Sequence, residues 1–286
     1  NTIGGGYCNT LTPYVGFTTI GGGFCNKSGC KFSTIGGGRN NISSGNTSTV
    51  GGGSFNTAPY NYQTIGGGCS NNTGSGIGAT IGGGGGNNMC SGAAFATIGG
   101  GNGNCANYCA TVGGGVVNKS LGNASTIGGG VWNTASGCCS TLGGGYRNCA
   151  LGDYSFVGGG VWEISYYIGN TAFGRASVVV GGQGNVASGA TSFIGGGQGN
   201  VASGNCSTIG GGANNCIGSI TNSTIGGGSF NNILGVVDVY GTPLYSNSTI
   251  GGGCLNTSSG NTSTIGGGIC NRATGNCSFI GGGSTN

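Results

Sequence analysis

The sequence contains no histidine and few charged residues, with seven Lys or Arg and three Asp or Glu among its 286 residues. Without an imidazole group there is no histidine general base and no Ser–His or Cys–His pair. The three carboxylates, Asp153, Glu163 and Asp238, fall in different copies of the repeat described below, so they indicate no acid/base pair. We therefore predict that the protein is not an enzyme and has no catalytic residue.

The same shortage argues against a metal site. Zinc sites use His and Cys at short spacings, and the sequence has neither His nor a Cys-x-x-Cys motif. Calcium-binding β-rolls need an Asp in each repeat, whereas Asp153 and Asp238 are the only two in this chain. We predict no metal ligand and no cofactor.

Long apolar runs and charge clusters are also missing. No stretch of about 20 apolar residues exists, so no membrane insertion is expected. The basic residues are scattered singly, without the patch that nucleic acid or anionic lipid needs, so no nucleic-acid partner is expected either. They are Lys27, Lys31, Arg39, Lys119, Arg147, Arg175 and Arg272.

Glycine, by contrast, accounts for 77 of the 286 residues. Collagen requires glycine at every third position, which this sequence does not have. A disordered chain would not place Ile, Val, aromatic residues and Cys at fixed intervals. The composition therefore indicates a repeat architecture in which glycines serve many similar turns.

A glycine triplet preceded by an aliphatic residue recurs along the whole sequence. We call that aliphatic position column zero; it occurs eighteen times, and ten of the seventeen intervals are 15 residues long. A phosphate-binding loop occurs once, between a strand and a helix, so a triplet present in seventeen of eighteen copies is architectural. The column-zero residues are Ile3, Ile20, Ile35, Val50, Ile65, Ile81, Ile98, Val112, Ile127, Leu142, Val157, Val179, Ile194, Ile209, Ile225, Ile250, Ile265 and Ile280.

An asparagine follows column zero by six positions in seventeen of the eighteen copies, with Glu163 as the exception. A short unit with one β-branched residue, several small residues and two turns is typical of one coil of a parallel β-solenoid. Stacked coils place equivalent residues about 4.8 Å apart. We therefore predict an all-β parallel β-solenoid, or β-roll, of about 18 coils of about 15 residues. Column zero forms an internal aliphatic ladder, as at Ile127 and Ile209, and the asparagines form an amide ladder, as at Asn133 and Asn215.

Two further columns predict the rest of the coil. Small residues eight positions after column zero are expected to fill the opposite wall of a narrow core; they include Ala58, Ala106, Ala135, Ala150, Ala187, Ala202 and Ala273. A second glycine, ten positions after column zero, is expected to form another turn with positive φ. These glycines are Gly45, Gly122, Gly137, Gly152, Gly189, Gly204, Gly260 and Gly275.

The repeat predicts a single continuous domain over residues 1–286. Two intervals lengthen to 22 and 25 residues, which places flank insertions near 161–172 and 233–246. Insertions in a solenoid form loops on its flank, where they either make lateral contacts or are tolerated decoration. Both ends of the sequence fall within a coil, so we expect either a piece of a longer solenoid or a subunit that stacks end to end.

The chain has fifteen cysteines, which without metal-binding motifs indicate an oxidising, extracellular setting. Cys8 and Cys25 occupy equivalent positions in adjacent coils, and Cys254 and Cys270 occupy nearly equivalent ones. Stacking would bring each pair within disulfide distance, so these four are the disulfide candidates.

The glycosylation motif Asn-x-Ser/Thr occurs twelve times, and column position separates its copies. Five of its asparagines belong to the amide ladder and are expected to be buried: Asn26, Asn41, Asn71, Asn118 and Asn256. Seven lie just after the second turn, where a glycan would fit on one exposed edge. These glycosylation candidates are Asn46, Asn123, Asn205, Asn222, Asn247, Asn261 and Asn276.

The unit "ASGNCSTIGGG" at 202–212 resembles the head repeats of trimeric autotransporter adhesins, whose pattern runs roughly A-x-G-x-x-S-x-A-I-G. Gly204, Ser207, Ile209 and Gly210 match that pattern, and most other coils match similarly. The resemblance implies a left-handed parallel β-roll, usually trimeric and used for surface adhesion.

The sequence leads to one main functional hypothesis and two alternatives. The main hypothesis is a non-enzymatic structural protein, a subunit of an extracellular, glycosylated and disulfide-stabilised filament or of a fibre on a cell or virion surface. Its expected partners are further copies of itself, joined end to end or laterally, and glycans or a cell surface. One alternative is a surface adhesin head of the autotransporter type. The other is ice binding, because the residue before column zero is Thr in most coils, as in the stacked threonines of insect antifreeze solenoids.

Overall fold

The computed structural model describes residues 1–12, 16–90, 92–160, 168–234 and 247–286. Among these residues the regular structure consists of two-residue β-strands and no helix. The chain divides into two compact units, Asn1–Cys139 and Ser140–Asn286, and each unit is a stack of parallel coils. The predicted fold class is confirmed: the protein is an all-β parallel β-solenoid of about 17 turns of about 15 residues.

The strands of the first unit are β1 Thr2–Ile3, β2 Thr10–Leu11, β3 Thr19–Ile20, β4 Lys27–Ser28, β5 Thr34–Ile35, β6 Ile42–Ser43, β7 Thr49–Val50, β8 Thr57–Ala58, β9 Thr64–Ile65, β10 Thr80–Ile81, β11 Asn88–Met89, β12 Thr97–Ile98, β13 Cys105–Ala106, β14 Thr111–Val112, β15 Lys119–Ser120, β16 Thr126–Ile127 and β17 Thr134–Ala135. Those of the second unit are β18 Thr141–Leu142, β19 Cys149–Ala150, β20 Phe156–Val157, β21 Thr171–Ala172, β22 Val178–Val179, β23 Val186–Ala187, β24 Phe193–Ile194, β25 Val201–Ala202, β26 Thr208–Ile209, β27 Cys216–Ile217, β28 Thr224–Ile225, β29 Asn232–Ile233, β30 Thr249–Ile250, β31 Thr257–Ser258, β32 Thr264–Ile265, β33 Arg272–Ala273 and β34 Phe279–Ile280.

Successive coils pair along three lines within each unit. Strands that end on column zero form one parallel, in-register sheet, as β5 does with β7. Strands that follow the ladder asparagine form a second sheet, as β6 does with β8. Isolated parallel bridges four residues after column zero form the third line, for example between Arg39 and Ser54. Three lines of pairing fix the register of each coil on the next, so equivalent sequence positions stack in columns.

The core lies between the two sheets and is only two side chains thick. Neighbouring strand residues point to opposite faces, so Ile35 is fully buried while Thr34 faces outward and is half-buried. The predicted opposite wall is present, since Ala58 and its equivalents in both units are also fully buried. The predicted aliphatic ladder is confirmed, with Ile127 and Ile209 fully buried.

The glycine ten residues after column zero differs from the prediction. None of the eight predicted glycines, Gly45 among them, has positive φ. Instead a Cβ at Gly45 would lie 1.8 Å from the carbonyl oxygen of Tyr60 in the next coil, so this column needs glycine for close approach of two backbones. Positive φ occurs two residues later, at non-glycine residues such as Thr47.

The two predicted insertions are only partly described. Residues 161–167 and 235–246, which contain Glu163 and Asp238, lie outside the described residues. Thr171–Ala172 and Asn232–Ile233, at the borders of the predicted insertions, are strands of the solenoid itself.

Candidate functional site: buried ladders and exposed corners

The asparagine ladder binds backbone as well as other amides. Asn41 Nδ2 donates to the Gly37 carbonyl oxygen of its own coil at 3.0 Å and to the Gly53 oxygen of the next coil at 2.9 Å. Asn41 Oδ1 accepts the backbone N–H of Asn56 at 3.0 Å. Each ladder side chain therefore closes a turn in its own coil and ties that coil to the next. Because Asn41 is fully buried, these bonds are shielded from water.

The same geometry recurs in the second unit. Asn215 Nδ2 donates to Gly211 O at 3.0 Å and Gly228 O at 2.9 Å, and its backbone N–H donates to Asn200 Oδ1 at 3.0 Å. In the first unit, Asn133 is likewise fully buried. The predicted amide ladder is thus confirmed, with bonds to carbonyl oxygens that the sequence pattern did not indicate.

In the copy of the repeat that has Glu163 six residues after column zero, the ladder is continued by a later residue, Asn170. The backbone N–H of Asn170 donates to Asn148 Oδ1 at 2.8 Å, and Asn170 Oδ1 accepts the N–H of Asn185 at 3.0 Å. The extra residues of this coil therefore precede the ladder position, and Asn170 continues the ladder. The signal was present in the sequence, as an Asn before a Thr-Ala pair like that of Asn133.

The third glycine of each triplet makes room for the ladder. Gly38 has a φ of 90°, and a Cβ placed there would lie 2.1 Å from the Gly53 oxygen and 2.8 Å from Asn41 Nδ2. Any side chain would displace both the next coil and the ladder amide. The triplet is therefore part of the backbone scaffold, as its repetition predicts.

A serine column, two residues before column zero, lines the inside of the corner turn in most coils. Ser48 Oγ donates to the Gly45 carbonyl oxygen at 2.7 Å and lies 2.7 Å from the hydroxyl of Ser43 on the opposite wall. Ser48 thus caps the corner turn of its coil from inside the core. The buried members of the column are Ser33, Ser48, Ser125, Ser140, Ser155, Ser177, Ser192, Ser207, Ser223, Ser248 and Ser263. In one coil the fully buried Gln63 takes this place and donates to the Thr73 oxygen at 3.0 Å.

The glycosylation candidates and the ladder asparagines occupy different environments. Six of the seven candidates are exposed, namely Asn46, Asn123, Asn205, Asn222, Asn247 and Asn276, and Asn261 is half-buried. The five sequon asparagines of the ladder are fully buried. The column position thus separates accessible acceptors from inaccessible ones.

The four disulfide candidates are thiols in the structure. The Cys25 N–H donates to the Tyr7 oxygen at 2.8 Å and the Cys270 N–H donates to the Cys254 oxygen at 3.0 Å, so each pair lies in adjacent coils, but neither pair is bridged. The disulfide that the structure does contain joins Cys90 to Cys105, with a Cα–Cα distance of 6.2 Å. It was missed because Cys90 lies nine residues and Cys105 seven residues after column zero, so the bridge runs diagonally between coils.

The thiols differ in their acidity. Hydrogen bonds from the hydroxyls of Ser54 and Ser70 lower the pKa of the exposed Cys69 thiol. Burial raises the pKa of the half-buried Cys149 and Cys216 thiols. For Cys25, removal from water and the adjacent Cys8 thiol both raise the pKa.

Two outward-facing columns run along the first unit. All nine of its column-zero strands begin with Thr, and these threonines pair in register from Thr2 to Thr126. On another corner, Tyr7 stacks on Phe24 with ring centroids 5.4 Å apart, and the Arg39 guanidinium lies 5.7 Å from the Phe24 ring and 5.8 Å from the Phe55 ring.

Within the described ranges, His, Cys, Asp and Glu form no group of three that could bind a metal ion. No helix in this described part is long and apolar enough to cross a membrane. Comparison of the sequence with protein-family models and with curated proteins finds no match.

Proposed function

We propose that the protein is a non-enzymatic structural protein, a subunit of an extracellular filament or surface fibre. The observation that carries the proposal is the self-complementarity of the coil. Each coil presents ladder oxygens and strand N–H groups on one side and the matching partners on the other. The contact that joins two coils within the chain is therefore one that two copies can make with each other.

Head-to-tail contacts of this kind produce open, linear assemblies. A solenoid also buries more backbone hydrogen bonds with each coil added, so growth along its axis is favoured over other directions. The cysteine content and the Cys90–Cys105 bridge support an extracellular location, because disulfides persist in oxidising compartments.

Electron microscopy of the purified protein over a range of concentrations tests the filament. We expect unbranched fibres that lengthen with concentration and a diffraction spacing near 4.8 Å along the fibre axis. Discrete short particles of uniform length at every concentration would contradict the proposal.

Glycosylation of the exposed edge is part of the same proposal. Intact-glycopeptide mass spectrometry of protein from its natural source is expected to find glycans among the seven edge asparagines and none on the buried ladder sequons, such as Asn41 and Asn118. The ladder sequons are an internal control, since both classes share the same motif. Empty edge sites would refute this part of the proposal.

Ice binding is a second candidate function, supported by the threonine column of the first unit. Its nine stacked strands present threonines on one face at a spacing of about 4.8 Å. Ice binding predicts thermal hysteresis in the wild type that is abolished when the exposed Thr64 and Thr97 are replaced with Tyr. Absence of hysteresis in the wild type would exclude this function. The specific relationship to autotransporter adhesin heads, including a left-handed coil, is a further proposal that rests on the sequence resemblance.

A further inference from the structure

Cys138 and Cys139 are adjacent cysteines in the first unit, and neither the solenoid nor the proposed function assigns them a role. Their sulfur atoms lie 3.7 Å apart. Cys138 is half-buried and Cys139 is exposed, and both are thiols. They therefore form a pair of neighbouring nucleophilic groups at the surface.

The stacked coils fix the backbone at this pair. Cys139 has a φ of 54°, and its N–H donates to the Asn123 oxygen of the preceding coil at 2.8 Å. The same bond recurs one coil earlier, where the Ala124 N–H donates to the Tyr108 oxygen at 3.0 Å. The corner thus has the same conformation with or without cysteine, so the scaffold brings the two sulfurs together before any ligand binds.

A disulfide between the two sulfurs is disfavoured by the backbone. Adjacent Cα atoms are about 3.8 Å apart across a trans peptide bond, whereas disulfides usually need a Cα–Cα distance of about 4.4–6.8 Å. The Cys90–Cys105 bridge meets this requirement, with 6.2 Å. A bond between Cys138 and Cys139 would be strained and easily reduced. We therefore expect this pair to persist as a dithiol in conditions that keep Cys90 and Cys105 oxidised.

The distance between the sulfurs suits a complex in which both bind one thiophilic atom. Zinc–sulfur bonds are about 2.3 Å long, and tetrahedral geometry then places two sulfurs about 3.8 Å apart. Zinc itself needs two further ligands, and in the described part of the chain His, Cys, Asp and Glu form no group of three. Trivalent arsenic with one substituent of its own forms only two further bonds, of similar length. Two thiols complete its coordination.

We propose that Cys138 and Cys139 form a bidentate binding site for monosubstituted trivalent arsenic. The substituent that arsenic keeps is an organic group, or a hydroxyl in the case of arsenite. The site needs a single chain and no contact between copies. It is therefore independent of the filament function.

The binding step is a ligand exchange without oxidation or reduction. In phenylarsine oxide the arsenic carries one phenyl group and one oxygen. The two thiol sulfurs attack arsenic in turn, two As–S bonds form and the bond from arsenic to oxygen breaks. The two thiol protons leave with that oxygen as one molecule of water.

The test uses the full chain, produced without glycans, and phenylarsine oxide as the probe. After binding, free thiols are blocked with iodoacetamide and the chain is unfolded and digested with trypsin. Cleavage after Lys119 and Arg147 gives the peptide 120–147, which contains Cys138 and Cys139 and no other cysteine. We expect this peptide to carry one phenylarsenic group and no blocked thiol.

Single variants show whether both sulfurs bind. Cys138→Ser and Cys139→Ser should each weaken binding at this site at least about a hundredfold, because the second As–S bond is intramolecular only when both thiols are present. Cys109→Ser removes an exposed thiol nearby and keeps the pair, so it is the matched control and should leave the affinity unchanged. The chain unfolded in guanidinium chloride should bind more weakly than the native chain, because its two side chains must be ordered first.

Three results would overturn the proposal. They are phenylarsenic groups on other peptides alone, unchanged affinity in either single variant, and equal affinity in the native and unfolded chains. A Cys138–Cys139 disulfide in protein from its natural source would also contradict it. Fibre formation by the wild type, followed by electron microscopy, depends on none of these results, so the filament function stands or falls separately.

Discussion

At the scale of single residues, the coil depends on an amide and a glycine that no other residues replace. The ladder asparagine supplies two N–H donors to carbonyl oxygens and one oxygen to an N–H group, all in a buried site. Aspartate lacks the two N–H donors, and an apolar residue can form none of these three hydrogen bonds. The third glycine of each triplet has no side chain, so the space in which these hydrogen bonds form stays open. Both columns therefore recur along the chain for the same physical reason.

Asn215→Asp tests the ladder with almost no change in shape. Its carboxylate would face the oxygens of Gly211 and Gly228 without a proton to donate, at a cost of about 3–5 kcal/mol at pH 7. Burial favours the neutral acid, which regains one donor, so the destabilisation should shrink as the pH falls towards 4. Hydrogen-exchange mass spectrometry of peptides over 200–231 measures this destabilisation. Asn222→Asp, at an exposed corner, should change exchange by less than about 0.5 kcal/mol, and equal effects would contradict the ladder.

Gly212→Ala and Gly211→Ala compare neighbouring glycines of one triplet. A Cβ at Gly212, where φ is 91°, would lie 2.0 Å from Gly228 O, whereas a Cβ at Gly211 has no atom nearer than 4.0 Å. We expect Gly212→Ala to cost about 3 kcal/mol and Gly211→Ala less than about 1 kcal/mol. Thermal unfolding followed by circular dichroism gives the comparison. A larger loss at Gly211 would show that the middle glycine has a role outside its own chain.

Thiol labelling follows the pKa directions. Only the thiolate reacts with iodoacetamide, so Cys69, whose pKa is lowered, should label at lower pH than an unperturbed thiol. Cys149 and Cys216, whose pKa values are raised by burial, should label only at higher pH and more slowly. Peptide mass spectrometry over pH 6–10 gives the order. Ser54→Ala should move the Cys69 profile to higher pH; no movement would show that the Ser54 hydroxyl does not stabilise the thiolate.

At the scale of strands and coils, three short lines of pairing replace long strands. A two-residue strand such as Thr34–Ile35 buries one side chain and turns the other outward, so its stability depends on the coils above and below. The sequence predicts these strands because a polar Thr and an aliphatic residue alternate before most of the triplets. It does not predict which glycines have positive φ, because positions such as Gly45 are glycine through contact with the next coil.

The Cys90–Cys105 disulfide ties two coils of the first unit. Its 15-residue separation corresponds to a stabilisation of about 3 kcal/mol through the restricted unfolded chain. Cys105→Ser should cost that amount locally, measured by hydrogen exchange over 88–120 without reductant. Cys216→Ser, in the same column of the other unit and unbridged, is the matched control and should cost less than about 1 kcal/mol. Equal costs would indicate that the disulfide does not stabilise its coils.

At the scale of the whole molecule, charge is nearly absent. The first unit has four basic residues and no Asp, Glu or His, and the whole chain has three carboxylate side chains. Stability depends on pH only through groups whose pKa changes on folding. We therefore expect the melting temperature to change by less than a few degrees between pH 3 and pH 7, measured by calorimetry. Cooperative acid unfolding in that range would contradict this account.

The sequence alone determined the coil, its two predicted ladders and the separation of buried from exposed sequons, because in-register stacking turns sequence period directly into columns. It also contained the serine column, visible as a Ser two residues before column zero in most copies of the repeat. The tertiary structure decided what depends on neighbouring coils: that Asn170 rather than Glu163 continues the ladder, that Gly45 and its equivalents are set by backbone contact, and that Cys90 bonds to Cys105. These features depend on distances between neighbouring coils, and the position of a residue within its own repeat does not predict such distances.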